Sequence, residues 1–311
     1  MHLVLGASGG VGAAMVRALR SRGAAVRALL PAGVTLADVE VVHGDPTHLP
    51  TLIDALKDCE SVTLAPDLPS HRWDPELVDM AEQVVEATRM AGVPVVVPTP
   101  LHGLKPIYAV PLPPDAPRLD VNDRPNPLGR VRNLVEDHLQ QNAETCNVRT
   151  IVVRHGDLYG PGVNDPIVAP MFRAALAGTA IPWPVSGGNA HAFTFVDDVA
   201  TVAVGLLFAA NRPVWDVVAV AGESFLTGDD WAGALGKAVG RTVSTRSVPA
   251  WWIRLQALWN RDARALAEVL YQWEGPLLLD DTRTRRVLPD WAPVPVDEAL
   301  ARTFAWYRGA P

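Results

Sequence analysis

Three glycines, Gly6, Gly9 and Gly12, end a short apolar run, Leu3-Val4-Leu5, and open a stretch with helical spacing that continues to about Arg20. Glycine permits the tight turn out of a strand, and a missing side chain lets a diphosphate approach the backbone. The helix that follows offers its free N–H groups to the same anion. A second apolar run, Val26-Arg27-Ala28-Leu29-Leu30, lies at the distance a β–α–β unit requires. Gly6, Ser8, Gly9, Gly10, Val11 and Gly12 are therefore read as the turn that cradles the diphosphate of a dinucleotide.

The elements that must position this turn follow from the apolar pattern. Strands are expected at 3–5, 25–30, 39–42, 61–65, 94–97 and 148–153, with helices at 11–22, 50–57, 75–91 and 127–142. Uniformly apolar strands such as Val93-Pro94-Val95-Val96-Val97 belong in a parallel sheet covered on both faces. The fold class is thus α/β, a doubly wound parallel sheet (Rossmann-like) with a smaller C-terminal substrate lobe, and ligand is expected outside the carboxyl ends of the strands. Residues 1–160 read as the dinucleotide-binding domain, with about 190–220 returning to it, and 161–311 as mainly the substrate-binding lobe. Nine prolines between Pro98 and Pro127 mark a long loop, a density that central strands and helices do not tolerate. Loops of that length in a compact domain are usually functional.

Composition narrows the partners. A net charge of −7 with no clustered basic patch argues against nucleic acid and against an anionic membrane surface, leaving a small-molecule substrate. Arg283, Arg285 and Arg286 stand beside Asp280 and Asp281 and read as a solvated helix face. Cys59 and Cys146 are the only cysteines, which fits a reducing cytoplasm, excludes a structural metal site by spacing and places both thiols in or near the core. Met1 leads directly into a core strand, so no targeting segment is expected, and the apolar stretch Val199 to Ala210 is too short to span a bilayer. Asp197 and Asp198 would cap that helix. Trp251, Trp252, Trp259 and Trp273 are expected in core or interface packing.

Beyond these readings, the whole chain resembles the extended short-chain dehydrogenase/reductase family of NAD(P)-dependent epimerases, dehydratases and reductases. Gly6, Gly9 and Gly12 are similar to its phosphate-binding glycines, Gly44-Asp45-Pro46 to its acidic adenine contact, and Ala65 to the small residue after its fourth strand. Val153-Arg154-His155-Gly156-Asp157-Leu158-Tyr159-Gly160-Pro161-Gly162 is similar to its Arg-Pro-Gly-x-x-Tyr-Gly-Pro-Gly segment, and Phe193 to Ala200 and Leu288 to Pro293 match further family segments. Tyr159 reads as structural. The resemblance implies a cofactor site of the glycine turn, Asp45, Pro46, Ala65, Arg132 and His155. It implies substrate contacts from His102, Tyr108, Leu128, His155 and Asp157.

One segment departs from the family. Its Tyr-x-x-x-Lys, in which the phenol moves a proton and the ammonium lowers its pKa while holding the ribose, maps onto Leu128 and Arg132. Leucine has no proton to give, and arginine stays charged at neutral pH. The family's Ser/Thr position maps onto Pro98 or Thr99, of which Thr99 keeps a hydroxyl; Thr99, Tyr108 near the family's Val-Tyr-Gly turn, or a bound water is left to polarise the substrate, with Arg132 orienting the cofactor. The second strand ends Leu29-Leu30-Pro31 without the carboxylate that selects NAD, and Arg22 or Arg27 would reach a 2′-phosphate only where the geometry brings it there; on that basis NADP is preferred over NAD. Two functions fit these residues. One is an NAD(P)-dependent oxidoreductase or epimerase-like enzyme for a small carbonyl or alcohol, with a non-standard active site. The other is a catalytically inactive dinucleotide-binding sensor or scaffold. A homodimer through helices 75–91 and 127–142 is an expectation of the same resemblance.

Overall fold

The structure, a computed structural model, describes residues 1–105, 111–119 and 126–309, with residues 223–225 and 262 described by backbone alone. Among these, seven strands form one parallel sheet: β1 (His2–Leu5), β2 (Val26–Leu30), β3 (Glu40–His43), β4 (Val62–Leu64), β5 (Val95–Pro100), β6 (Thr150–His155) and, late in the chain, β10 (Trp215–Val220). Their spatial order is β10-β6-β5-β4-β1-β2-β3. Helices α1 (Gly10–Ser21) and α6 (Val196–Phe208) cover one face, and α2 (Leu49–Leu56), α3 (Trp73–Ala91) and α4 (Pro127–Cys146) cover the other. The remaining elements build the lobe: β7 (Asp157–Tyr159), α5 (Val168–Ala177), β8 (Ile181–Pro184), β9 (His191–Phe195), β11 (Glu223–Leu226), α7 (Gly228–Val239), β12 (Thr245–Val248), α8 (Ala250–Gln256), α9 (Arg261–Val269), α10 (Thr282–Val287) and α11 (Val296–Gly309). Tyr159, Phe172, Phe193, Phe195, Trp183, Trp231 and Trp273 fill its core, where Phe193 stacks on Trp231 at 4.3 Å. No described helix is long and apolar enough to cross a membrane.

Local chemistry explains where the site-bearing elements begin and end. Asn126 caps α4 by accepting the Gly129 N–H, Pro127 stands at its first position, and Asn147 closes it in the left-handed region at φ 57°. Helix α4 therefore runs four residues beyond the expected end. Strand β5 continues through Pro98 and Pro100, contrary to the expectation that proline bars a central strand. Pairing with β4 stops at Val96, while the Val95 N–H is directed at β6. Backbone alternation then turns the nitrogens of Pro98 and Pro100 to the side where no partner strand remains, so nothing is lost by their lacking N–H groups.

Several smaller expectations need correction. Asp197 and Asp198 lie inside the first turn of α6 and make no side-chain cap; Asp198 accepts the Val294 N–H and Asp197 pairs with Arg17 and Arg302. Cys146 is exposed, at the solvent end of α4, while Cys59 is buried. Trp273 is a core residue, but Trp251, Trp252 and Trp259 are exposed. Apolar residues of α3 and α4 face the sheet and one another, and the outer faces carry Asp79, Glu82, Asp137 and Glu144.

Arg154, at the tip of β6, donates to both carboxylate oxygens of Glu136 at 2.8 and 2.9 Å and, through Nε, to the Pro114 carbonyl at 2.6 Å. Both side chains are buried. Replacing Glu136 by alanine leaves a guanidinium without its partner in the interior, and urea unfolding should show a loss of about 3–5 kcal/mol.

Candidate functional site

Gly6 sits at φ 82°, and a Cβ there would lie 2.0 Å from the Ala65 carbonyl oxygen, so the tips of β1 and β4 meet only because the side chain is absent. At Gly12 a Cβ would lie 2.0 Å from the Gly6 carbonyl oxygen, which seats α1 directly on the turn. These two glycines shape the turn from behind. Gly9, Gly10 and Val11 face a cavity of about 1080 Å³, and the start of α1 has no side-chain cap. A helix start left open beside a cavity suits an anion. The exposed carboxylate of Asp67 also stands here, close enough that a Cβ on Gly9 would come within 2.5 Å of its own Cβ. Ser8 is exposed and does not line the cavity. Asp45 accepts the Thr47 N–H at 2.8 Å and its hydroxyl at 2.7 Å, contacts that hold its carboxyl below the usual range; it and Pro46 also lie outside the cavity wall.

At the far end of the cavity, Leu128, Arg132 and Glu136 follow one another at single-turn spacing on one stripe of α4. Glu136 is fixed by Arg154, Arg132 comes one turn nearer the cavity, and Leu128 lies at its wall, its N–H donated to Glu268 at 3.3 Å. The Arg132 guanidinium lies 4.0 Å above the Trp73 ring, and its buried Nε has no hydrogen-bond partner among the described residues. Burial pulls it down to about 10, with Glu136 acting in the opposite direction, so it stays a cation at neutral pH. His102 stacks on the other part of the same assembly, its ring centroid 5.9 Å from that of Trp73, and its buried Nδ1 also lacks a partner. The Asn126 amide and the Tyr271 hydroxyl both donate to the His102 carbonyl, so the backbone holds without help from the ring.

Behind them, His155 donates Nδ1–H to the Gly156 carbonyl at 2.8 Å, and burial pushes both His102 and His155 down to about 4, leaving neutral imidazoles. Asp157 pairs with His191 at 2.7 Å, and His191 stacks on Trp273. Asp165 accepts the N–H groups of Ile167 and Val168, yet burial first and the Asp157 charge second push it up to about 7. Ala65, His102, Leu128, Arg132, His155 and Asp157 thus share one cavity with the glycine turn. Among the described residues no cluster of His, Cys, Asp or Glu is spaced for a metal ion.

Two expectations change. Strand alternation sends Pro98 and Pro100 to the cavity and Thr99 away from it; the buried Thr99 hydroxyl points to the Val97 carbonyl of its own strand. Its role as a polarising hydroxyl is withdrawn. Neither arginine offered for a 2′-phosphate is placed for it: Arg27 bonds Glu40 and the carbonyls of Ala55 and Lys57, and Arg22 follows the end of α1, at the opposite end of β2 from Pro31. The preference for NADP loses its support. Tyr108 falls outside the described residues. Sequence reasoning missed Trp73, Asp67 and Asp165, which reach the cavity from loops and a helix start far apart along the chain. Only Asp165 carried a local signal, an acid two and three residues ahead of the N–H groups it accepts.

A family model described as NAD dependent epimerase/dehydratase family matches residues 2–217. No curated protein sequence matches. Among solved structures, MoeE5 in complex with UDP-glucose and NAD is similar with a TM-score of 0.76 and 22% identity over 99% of each chain. A UDP-glucuronic acid 4-epimerase from Bacillus cereus in complex with NAD gives 0.77 and 14% over 99% of this chain and 98% of that one. The UDP-glucose 4-epimerase from Thermotoga maritima with UDP-glucose gives 0.75 and 17% over the same shares. These likenesses establish the fold.

The Asp165 shift has a measurable sign. A carboxyl whose folded value is raised to about 7 is protonated in the fold where the unfolded chain has already ionised, so its contribution to stability falls as pH rises from about 4 to 7 and then levels off. The Tm of Asp165→Asn minus that of the parent should therefore grow across that window and stay flat above it. Thermal melts at successive pH values check this.

Proposed function

The chain belongs to the NAD dependent epimerase/dehydratase family, and on that footing we propose that it is an NAD-dependent oxidoreductase or epimerase-like enzyme for a small carbonyl or alcohol substrate. One observation carries the reading: a continuous cavity joins the uncapped start of α1 to the side chains of Arg132 and His102. A helix start open to an anion and a guanidinium further along the same cavity suit the diphosphate and ribose of a dinucleotide. Gly9, Gly10 and Val11 would hold the diphosphate, and Arg132, steadied by the Trp73 face, the ribose or phosphate beyond it. Nicotinamide supplies the hydride acceptor or donor when bound. The NAD in the similar structures supports that dinucleotide, and their UDP-sugars make a sugar hydroxyl or the matching ketone a fitting substrate.

Leu128 leaves the helical wall without a proton, so the substrate oxygen needs a partner elsewhere. His102 fits that task. Burial keeps its imidazole neutral, the Trp73 stack fixes its plane, and a ring N–H would donate a hydrogen bond that stabilises the negative charge developing on a carbonyl oxygen. A second reading, a dinucleotide-binding sensor without redox chemistry, is favoured by the Leu128 and Arg132 pair alone, which moves no proton.

Titration with NAD, followed by Trp73 emission, should show binding that Arg132→Met weakens by about tenfold, the worth of one charged hydrogen bond. Asp67→Asn should tighten it by roughly two- to fivefold, since a solvent-exposed like charge facing the diphosphate is removed. In His102→Phe, which keeps the ring stack, hydride turnover should disappear while NAD affinity survives. Undiminished turnover in that variant overturns the assignment of His102. Binding without turnover in the parent across a panel of carbonyls and sugar nucleotides establishes the sensor.

A further inference from the structure

Helix α8 is apolar on two sides. Ile253 is 2% exposed and packs inward, whereas Trp251, Trp252 and Leu255 remain 65, 42 and 38% exposed, and Leu258 and Trp259, in the turn that continues the helix, 68 and 69%. Their spacing places these five on one stripe. Isolated apolar residues on a surface are ordinary, but a contiguous patch of this kind marks a contact surface.

We propose that this stripe seats the protein on the surface of an anionic lipid bilayer. Residue type favours lipid: tryptophan settles at headgroup level, leucine below it, and arginine covers the boundary with its stem while keeping its charge in water. Arg254 lies on α8, and Arg261 and Arg264 on the adjoining α9. Arg254 has Glu274 at 3.6 Å, Arg261 Nη1 lies 3.2 Å from His71 Nε2, and Arg264 donates to the Ala257 carbonyl. Local charge supports the same partner. From Trp231 to Arg261 the sequence holds Lys237, Arg241, Arg246, Arg254 and Arg261 and no acid, within a chain of net charge −7. Of these cations Lys237 pairs with Asp297 and Arg254 with Glu274. The sequence expectation of no membrane partner rested on the net charge and on the lack of a clustered basic patch; these five cations are spread over residues 237–261 rather than clustered in sequence. Continuity with the site completes the case: Trp259 and Arg261 belong to the patch and also line the cavity, next to Leu266 and Val269. A ligand with an apolar tail would pass from bilayer to cavity along apolar side chains without crossing water.

The test uses the intact chain and extruded vesicles of phosphatidylglycerol and phosphatidylcholine in equal parts, against vesicles of phosphatidylcholine alone. The protein should sediment with the anionic vesicles, much less with the neutral ones, and less again at high salt. Tryptophan emission should shift to the blue and be quenched by lipids brominated on their chains. Trp251→Ser with Trp252→Ser, at positions outside the cavity wall, should lower partitioning roughly tenfold or more with far-UV circular dichroism unchanged. Failure of the parent to sediment with anionic vesicles overturns the proposal, as does equal binding by the double variant. Self-association that the double variant loses, without vesicle binding, overturns it too and makes a second copy the occupant. Should the double variant not fold, absence of bromolipid quenching in the parent decides against the proposal by itself. None of these readings depends on NAD turnover.

Discussion

The buried Arg154–Glu136 pair sets the register on which the site depends. Every nitrogen of the guanidinium is engaged, two on the carboxylate and Nε on the Pro114 carbonyl, so one side chain of β6 fixes both α4 and the segment 111–119. Burying two charges costs desolvation that the attraction between them does little more than offset. What the pair supplies is position. With Glu136 pinned, helical geometry alone brings Arg132 one turn and Leu128 two turns closer to the cavity, on the stripe that faces His155 and Pro98.

The glycine turn imposes a matching constraint at the other end. Contacts near 2.0 Å for a hypothetical Cβ at Gly6 and Gly12 involve backbone oxygens, which cannot swing aside, so these two positions admit no side chain at all. Gly9 differs, because its neighbour is the Asp67 side chain, which is exposed and free to turn. The turn is thus rigid where it meets β4 and α1 and adjustable where a ligand would lie. That combination serves binding, since a preorganised cradle loses little freedom when filled.

Much of the fold was legible in the sequence because parallel strands covered on both faces are apolar without interruption, as in Val95-Val96-Val97 and Ile151-Val152-Val153. The glycine turn and the Leu128 to Glu136 stripe were legible for a related reason, their spacing being set within a single element. Pro98 and Pro100 misled because proline is judged by the hydrogen bond it lacks, and whether a strand waits for that bond is a property of the sheet. Trp73 and Asp67 left no signal, since their meeting with Arg132 and Gly9 is made by packing between segments far apart in the chain. The exposed stripe of α8 illustrates the same limit from the other side: its helical spacing is visible, but which apolar face turns inward is settled only by Ile253 finding the lobe core.

Leu128 and Arg132 give the α4 wall an apolar side chain and a fixed cation, neither of which moves a proton at neutral pH, and their neighbours suit both. A phenol at position 128 would need a polar partner, yet its surroundings are the lobe's hydrophobic residues, among them Ala265 and Val269. A lysine at 132 would hold its charge in a compact, strongly hydrated ammonium, whereas the flat guanidinium lies against the indole of Trp73 and is stabilised there without a carboxylate of its own. That stacking leaves donors directed at the cavity. The titratable groups of the cavity stand on another wall, formed by His102, His155, Asp157 and Asp165, where neutral imidazoles and a carboxyl near neutrality share one enclosure. Groups whose protonation changes at little cost near working pH are the ones suited to proton transfer, and in this chain Asp165 is the carboxyl that burial and a neighbouring charge have brought to that range.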